Sequence, residues 1–368
     1  MKKSRLIFFS LLILAAIFLS SCAGGTGVAS SWPGMAVDTG RQTVYLAYGQ
    51  AVYAINLENG LERWRFPDKA DAKITFYAPP VLTQDGQLLV GSYDHLLYSL
   101  NPDSGQQNTT GWPFQGATNR YIAEPLVADG KVFAPNADQH LYALDLSGKE
   151  LWKFKTGQSL WAMPAINGQT LYLPSMDHHL YALDAGGGNQ IWRSEDLIGA
   201  MVGTPAVGPD GTLYLGTFAH EMLALNPNNG QVVWKTATDG WVWSGPALDD
   251  GSLYFGDLKG NFYALNAADG SVRWKITAQP GSVYAIAGQP LVTQDSVYFT
   301  TENGFLYAAD KSNGNLRWNP KEIGGKLYTG PLAAGDKILI AAIEKDVLLV
   351  AVDKDGNQVW QPFTPAKK

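Results

Sequence analysis

All five histidines of the chain, His95, His140, His178, His179 and His220, fall within one stretch, and Asp94, Asp138 and Asp177 stand one or two positions before the first three of these sites. Imidazoles and carboxylates are the donor set of a transition-metal centre, but such a centre needs several of them converging on one ion. Here they recur about once per forty residues, which spreads them over successive units. They therefore read as polar turn residues or as part of a binding face, and neither a metal nor a catalytic role is assigned to them. A second set is aromatic. Tyr77, Trp161, Trp243 and Tyr328 each lie three residues before a proline, with Phe76, Tyr121 and Trp241 close by. Aromatic residues on loops are the usual anchors of a protein or ligand interface. No Gly-x-Ser-x-Gly elbow, phosphate loop, Cys-x-x-Cys pair or His-Glu-x-x-His helix is present, so no familiar catalytic motif accompanies them.

The elements that position these residues repeat. A proline-led apolar segment, an apolar strand, a polar turn, a Leu-Tyr-Ala-Leu-like strand, a glycine turn and a tryptophan recur eight times, ending at Trp64, Trp112, Trp152, Trp192, Trp234, Trp274, Trp318 and Trp360. The spacings are 48, 40, 40, 42, 40, 44 and 42, the length of four short strands with their turns, or one propeller blade. In one unit, residues 205–207 form strand A, 212–216 strand B, 222–225 strand C and 231–234 strand D. Asn229-Gly230 closes the last hairpin, where a positive φ is needed. The third residue of strand C is always small: Ala54, Ser99, Ala143, Ala182, Ala224, Ala264, Ala308 and Ala351. Sheets converging on an axis need that, and the repeated tryptophans then fill the wider part of each wedge as packing residues.

Helical solenoid repeats would show helical spacing, which is missing, and no repeat tryptophan is followed by the Asp of a WD40 unit. The expectation is an all-β, eight-bladed β-propeller of four-stranded antiparallel blades. Strand parity puts the B–C turns and the D–A loops on one face, called the top, and the A–B and C–D turns on the bottom. The histidines and the loop aromatics then share the top face.

Units such as Asp177-His-His-Leu-Tyr-Ala-Leu-Asp184, with Gly188 and Trp192 following, resemble the repeat of pyrroloquinoline-quinone-type propellers over roughly residues 32–361. Two branches of that family matter. Resemblance to the quinoprotein dehydrogenases would imply a quinone and a calcium ion on the axis, a catalytic Asp and commonly a vicinal cysteine pair. The chain has one cysteine, lacks the long insertions of those enzymes, and offers no evident calcium constellation; no cofactor is expected. Resemblance to the BamB-type lipoproteins of the outer-membrane β-barrel assembly machine would imply a non-catalytic scaffold that docks on periplasmic POTRA domains, a monomer within a complex. In that branch an N-terminal strand completes the last blade, whereas this chain ends with its own D strand, 358–360. Closure is then left to side-chain packing or to residues 24–31. A surface polysaccharide-binding propeller would use the same aromatic face.

The N-terminus points to the same compartment. Lys2, Lys3 and Arg5 precede an apolar run, Leu6 to Leu19, that is short for a membrane span and reads as a secretory signal. The run ends in Leu-Ser-Ser-Cys22, which resembles a bacterial lipoprotein box, and the resemblance implies a lipid on Cys22. A lone thiol in an oxidising compartment otherwise invites mispairing. The divisions expected are a signal peptide, 1–21; a lipidated Gly/Ser-rich tether, 22–31; the propeller, 32–361; and a C-terminal tail, 362–368. The signal carries three cations, so the mature chain keeps 24 Lys and Arg against 33 Asp and Glu, a net −9. That balance argues against nucleic acid as the partner. The expected setting is the cell envelope, on the periplasmic face of an outer membrane if the host is Gram-negative and otherwise on the outer face of the cytoplasmic membrane, with protein partners.

Overall fold

A computed structural model describes residues 32–343 and 346–366; Cys22 and the segments assigned to the signal and tether lie outside them. The described chain is a ring of eight antiparallel sheets, each built from one contiguous stretch. The blades span 34–66, 81–114, 126–155, 165–193, 206–237, 247–277, 291–322 and 332–363. Among the described residues six sheets have four regular strands and two have three. In blades 2 and 8 the fourth edge is reduced to the bridges Leu97–Phe114 and Leu100–Gln107, and Leu349–Phe363 and Val352–Gln358. Blade 5 illustrates the register: strands Ala206–Val207, Leu213–Thr217, Glu221–Leu225 and Val232–Ala237 pair in order. Its outer strand runs three residues beyond the expected tryptophan.

The packing follows from the alternation of side chains. Both faces of strands B and C are buried, as in Leu213–Thr217, while the outer strand alternates between exposed and half-buried residues. The core is divided into eight clusters, each shared by two neighbouring blades, and one of them joins blade 8 to blade 1. Within five blades the small residue of strand C pairs directly with the repeat tryptophan, as in Ala224 with Trp234, and a β-bulge follows. The bulge strengthens the local twist of the blade.

The repeat tryptophans pack from blade to blade. Each ring lies against the C–D turn glycine of the next blade: Trp64 on Gly105, Trp112 on Gly148, Trp152 on Gly188, Trp192 on Gly230, Trp234 on Gly270, Trp274 on Gly314, Trp318 on Gly356 and Trp360 on Gly60. All eight of these glycines have positive φ, so the turn needs glycine for its backbone and for the ring above it. Six of the indoles also donate to a carbonyl of the neighbouring turn, at 2.8 Å for Trp192 to Pro227 and 3.0 Å for Trp64 to Pro102. Among the described residues the ring closes by this same device, and no sheet there combines strands from the two ends of the propeller.

Candidate partner-binding site

The B–C turns explain their own polar residues. His95, His178 and His220 have φ of 73°, 69° and 63°, and Gln139 takes the equivalent place with 75°; Gly260 and Gly304 fill it in blades 6 and 7. The histidines thus occupy a left-handed turn position. The aspartates before them accept hydrogen bonds from strand-C tyrosines four residues on: Tyr98 to Asp94 at 2.5 Å, Tyr142 to Asp138 at 2.7 Å and Tyr181 to Asp177 at 2.7 Å. His179 Nδ1 lies 2.9 Å from the carbonyl of Ser194, and His140 Nδ1 lies 3.1 Å from that of Asp138. No three potential ligands gather for a metal ion among the described residues. The histidines are held separately, one turn per blade.

The D–A loops behave differently, because they run inward to the axis. Neighbouring loops meet backbone against backbone there: a Cβ on Gly330 would overlap the carbonyl of Gln289, and one on Gly245 would overlap that of Thr204. This close approach draws side chains from separate repeats into one place. Trp32, just ahead of the first strand, stacks on Tyr328 with centroids 4.8 Å apart and planes 7° from parallel, and also touches Tyr77 at 5.8 Å and Trp243 at 5.2 Å. The tract continues from Tyr77 to Tyr93, over which the Arg120 guanidinium sits, and from Trp243 through Phe218 to Trp241. His220 meets Trp241 edge-on. These rings are half-buried, so part of each faces solvent.

At the centre is a cavity of about 200 Å³ walled by Trp32, Tyr77, Trp161, Met163, Trp243 and Glu124, among others. It shares walls with a larger cavity of about 530 Å³ that Tyr328 also lines. The four aromatics spaced three residues before a proline therefore converge on the axis. Tyr121 does not join them: it is fully buried between blades 2 and 3, where a Cβ on Gly91 would strike its ring. Phe76 is likewise buried, packed against Phe66 and Tyr98. His95 stands exposed on its turn.

Two site residues escaped the sequence reading. Trp32 directly precedes Pro33, the proline ahead of the first strand, and lies outside the set of aromatics spaced three residues before a proline. Glu124 had a signal, since it holds the same place before its strand-A proline, where the other repeats carry Trp32, Pro79, Met163, Thr204, Gly245, Gln289 and Gly330. It is the one charged residue in that register, and burial pushes its carboxyl up to about 8. Burial also raises the Tyr77 phenol, with Tyr93 adding to the effect. The cavity is thus aromatic, uncharged apart from Glu124, and suited to holding one side chain or a small polar head.

A family model described as outer membrane protein assembly factor BamB matches residues 48–200, 176–319 and 284–367. Among solved structures, BamB from Moraxella catarrhalis superposes with a TM-score of 0.70 at 16% identity, covering 88% of this chain and 94% of that one. The computationally designed Ika8 protein superposes with a TM-score of 0.70 at 15% identity, covering 89% and 95%. At such identities the likeness to both is one of fold. No curated protein sequence matches the chain.

Proposed function

We propose, starting from a chain that belongs to the family of outer membrane protein assembly factor BamB, that this propeller is a non-catalytic envelope scaffold in outer-membrane protein assembly. Lipid on Cys22 would hold it at the membrane. Its partner would be a protein of the assembly complex, with POTRA domains the class that the family resemblance implies. The observation that carries the reading is the aromatic tract across the top face, from Trp241 through Trp243 and Trp32 to Tyr93. Half-exposed rings fixed by stacking lose little freedom on binding, which is what interface anchors require. On the bottom face, by contrast, the C–D turn glycines are already covered by the repeat tryptophans.

The test is crosslinking capture from the native envelope. Trp161→Ala with Trp243→Ala should weaken partner capture by about 2 kcal/mol or more while circular dichroism stays unchanged. A folded double variant that captures as well as the parent protein would sink the top-face reading. Attention would then move to the outer strands, where Leu151, Ile191 and Val233 are exposed beside an open sheet edge. The rival class is an oxidoreductase. Added pyrroloquinoline quinone with calcium should leave the melting temperature in place, and a ligand-induced rise would favour that class.

A further inference from the structure

We propose that the axial cavity beside Glu124 is a cation site that takes the guanidinium or ammonium head of one arginine or lysine from a bound protein partner. This rests on the reading that the top face is the working face, and it names what that face recognises.

Glu124 lines the cavity and makes no hydrogen bond or ion pair among the described residues. No lysine, arginine or histidine is among the residues that wall it. A carboxyl in that position is costly to ionise without a partner, and a neutral ligand would leave that cost in place. An anion would add a second like charge. A metal ion is a poor match too, since calcium takes six to eight oxygens and no second carboxylate lines the cavity. An organic cation suits the remaining walls: Trp32, Tyr77, Trp161 and Trp243 are aromatic, and the face of a tryptophan or tyrosine ring attracts an ammonium or guanidinium. Ile122, Met163 and Val202 supply apolar surface for an aliphatic stem.

The space beside Glu124 is about 200 Å³, room for one side-chain head, and the adjoining cavity of about 530 Å³ leaves space for the polypeptide that carries it. The source of the head is argued from charge. With 24 cations against 33 anions in the mature chain, the protein attracts basic segments and steers them toward its surface. A bound cation would favour the ionised carboxylate, so binding near neutral pH should expel a proton from Glu124.

The test uses the soluble mature chain carrying Cys22→Ser. The probes are a ten-residue Gly/Ser peptide with one central arginine, the same peptide with citrulline there, and free N-acetyl-arginine methylamide. Titration calorimetry should show the arginine peptide binding at least tenfold more tightly than the citrulline peptide. At pH 7 its heat should depend on the ionisation enthalpy of the buffer, reporting the released proton. Glu124→Gln should abolish that buffer dependence and reduce affinity at least tenfold. Equal binding of the two peptides, no binding of either, or unchanged binding to Glu124→Gln would overturn the site. Binding of the free arginine derivative but of neither peptide would overturn the polypeptide as source. Capture in the envelope keeps the two proposals apart. If Trp161→Ala with Trp243→Ala loses the native partner and Glu124→Gln retains it fully, the face stands and the cation site falls; if both retain it, the face falls as well.

Discussion

The indole of Trp360 donates to the carbonyl of Leu57, 3.3 Å away and 303 positions earlier in the chain, and its ring covers Gly60. The junction of blade 8 with blade 1 is therefore built like the other blade junctions, around a cluster that includes Val44, Leu46, Leu339, Leu349 and Phe363. Among the described residues the junction is held by side chains, and Trp360 is central to it. Trp360→Ala should cost about 3–5 kcal/mol in urea denaturation, and limited proteolysis should then cut first in blades 1 and 8. Equal protection of those blades in the variant would show that closure is held elsewhere.

The inner loops depend on the absence of a single carbon. Gly330→Ala places a Cβ on the Gln289 carbonyl, and Gly288 lies against the same loop. Relief would need backbone movement at the crowded axis, so a loss of about 1–3 kcal/mol is expected. Thermal unfolding of the variant checks it, and an unchanged midpoint would mean the loops can part freely.

Glu124 should make stability pH-dependent, and the sign follows from its raised pKa. Its carboxyl lies near 8 in the fold against an ordinary 4.5. Below about 4.5 it is protonated folded and unfolded, with no effect. As pH rises toward 8 the unfolded chain gives up the proton first, so the fold loses stability, and above 8 the loss levels off. The only other titratable group in the cavity wall is Tyr77, whose phenol is pushed further up and stays neutral over this range. Glu124→Gln should thus leave stability unchanged at pH 4.5 and raise it on the order of 3–5 kcal/mol at pH 8.5. Denaturation curves at the two pH values measure the difference, and an equal effect at both would show that the carboxyl is not held neutral.

Anchoring is tested at Cys22. The variant Cys22→Ser should move from the membrane fraction to the soluble periplasmic or culture fraction and lose labelling by a lipid precursor. Retention of the label would place the acyl group on another residue.

The sequence by itself determined the blades. Hydrophobic alternation, turn glycines and a tryptophan recurring near every 42 residues are local signals, and each is read within one repeat. The fixed spacing of Gly230 before Trp234 was enough to infer the turn and the packing role of the ring. It did not reveal that the ring lies on the glycine of the following blade, because that contact crosses a boundary between repeats.

Only the tertiary structure decided the site, and the reason is geometric. Residues 32, 77, 161, 243 and 328 are far apart in the chain, and convergence of the D–A loops on one axis brings their side chains together. Tyr121 was singled out only as a neighbour of that set, one residue off the spacing of Tyr77 and Trp161, and it turns into the wedge over Gly91 and is buried. The His and Asp pairs looked like donors in sequence. In the fold each aspartate is taken by its own tyrosine, four residues on in the strand that leaves the turn. Glu124 was visible as an exception to its register, but a carboxyl becomes unusual only when its surroundings remove water from it. Those surroundings are supplied by the loops of other blades and by Trp32, and they exist only once the ring has closed.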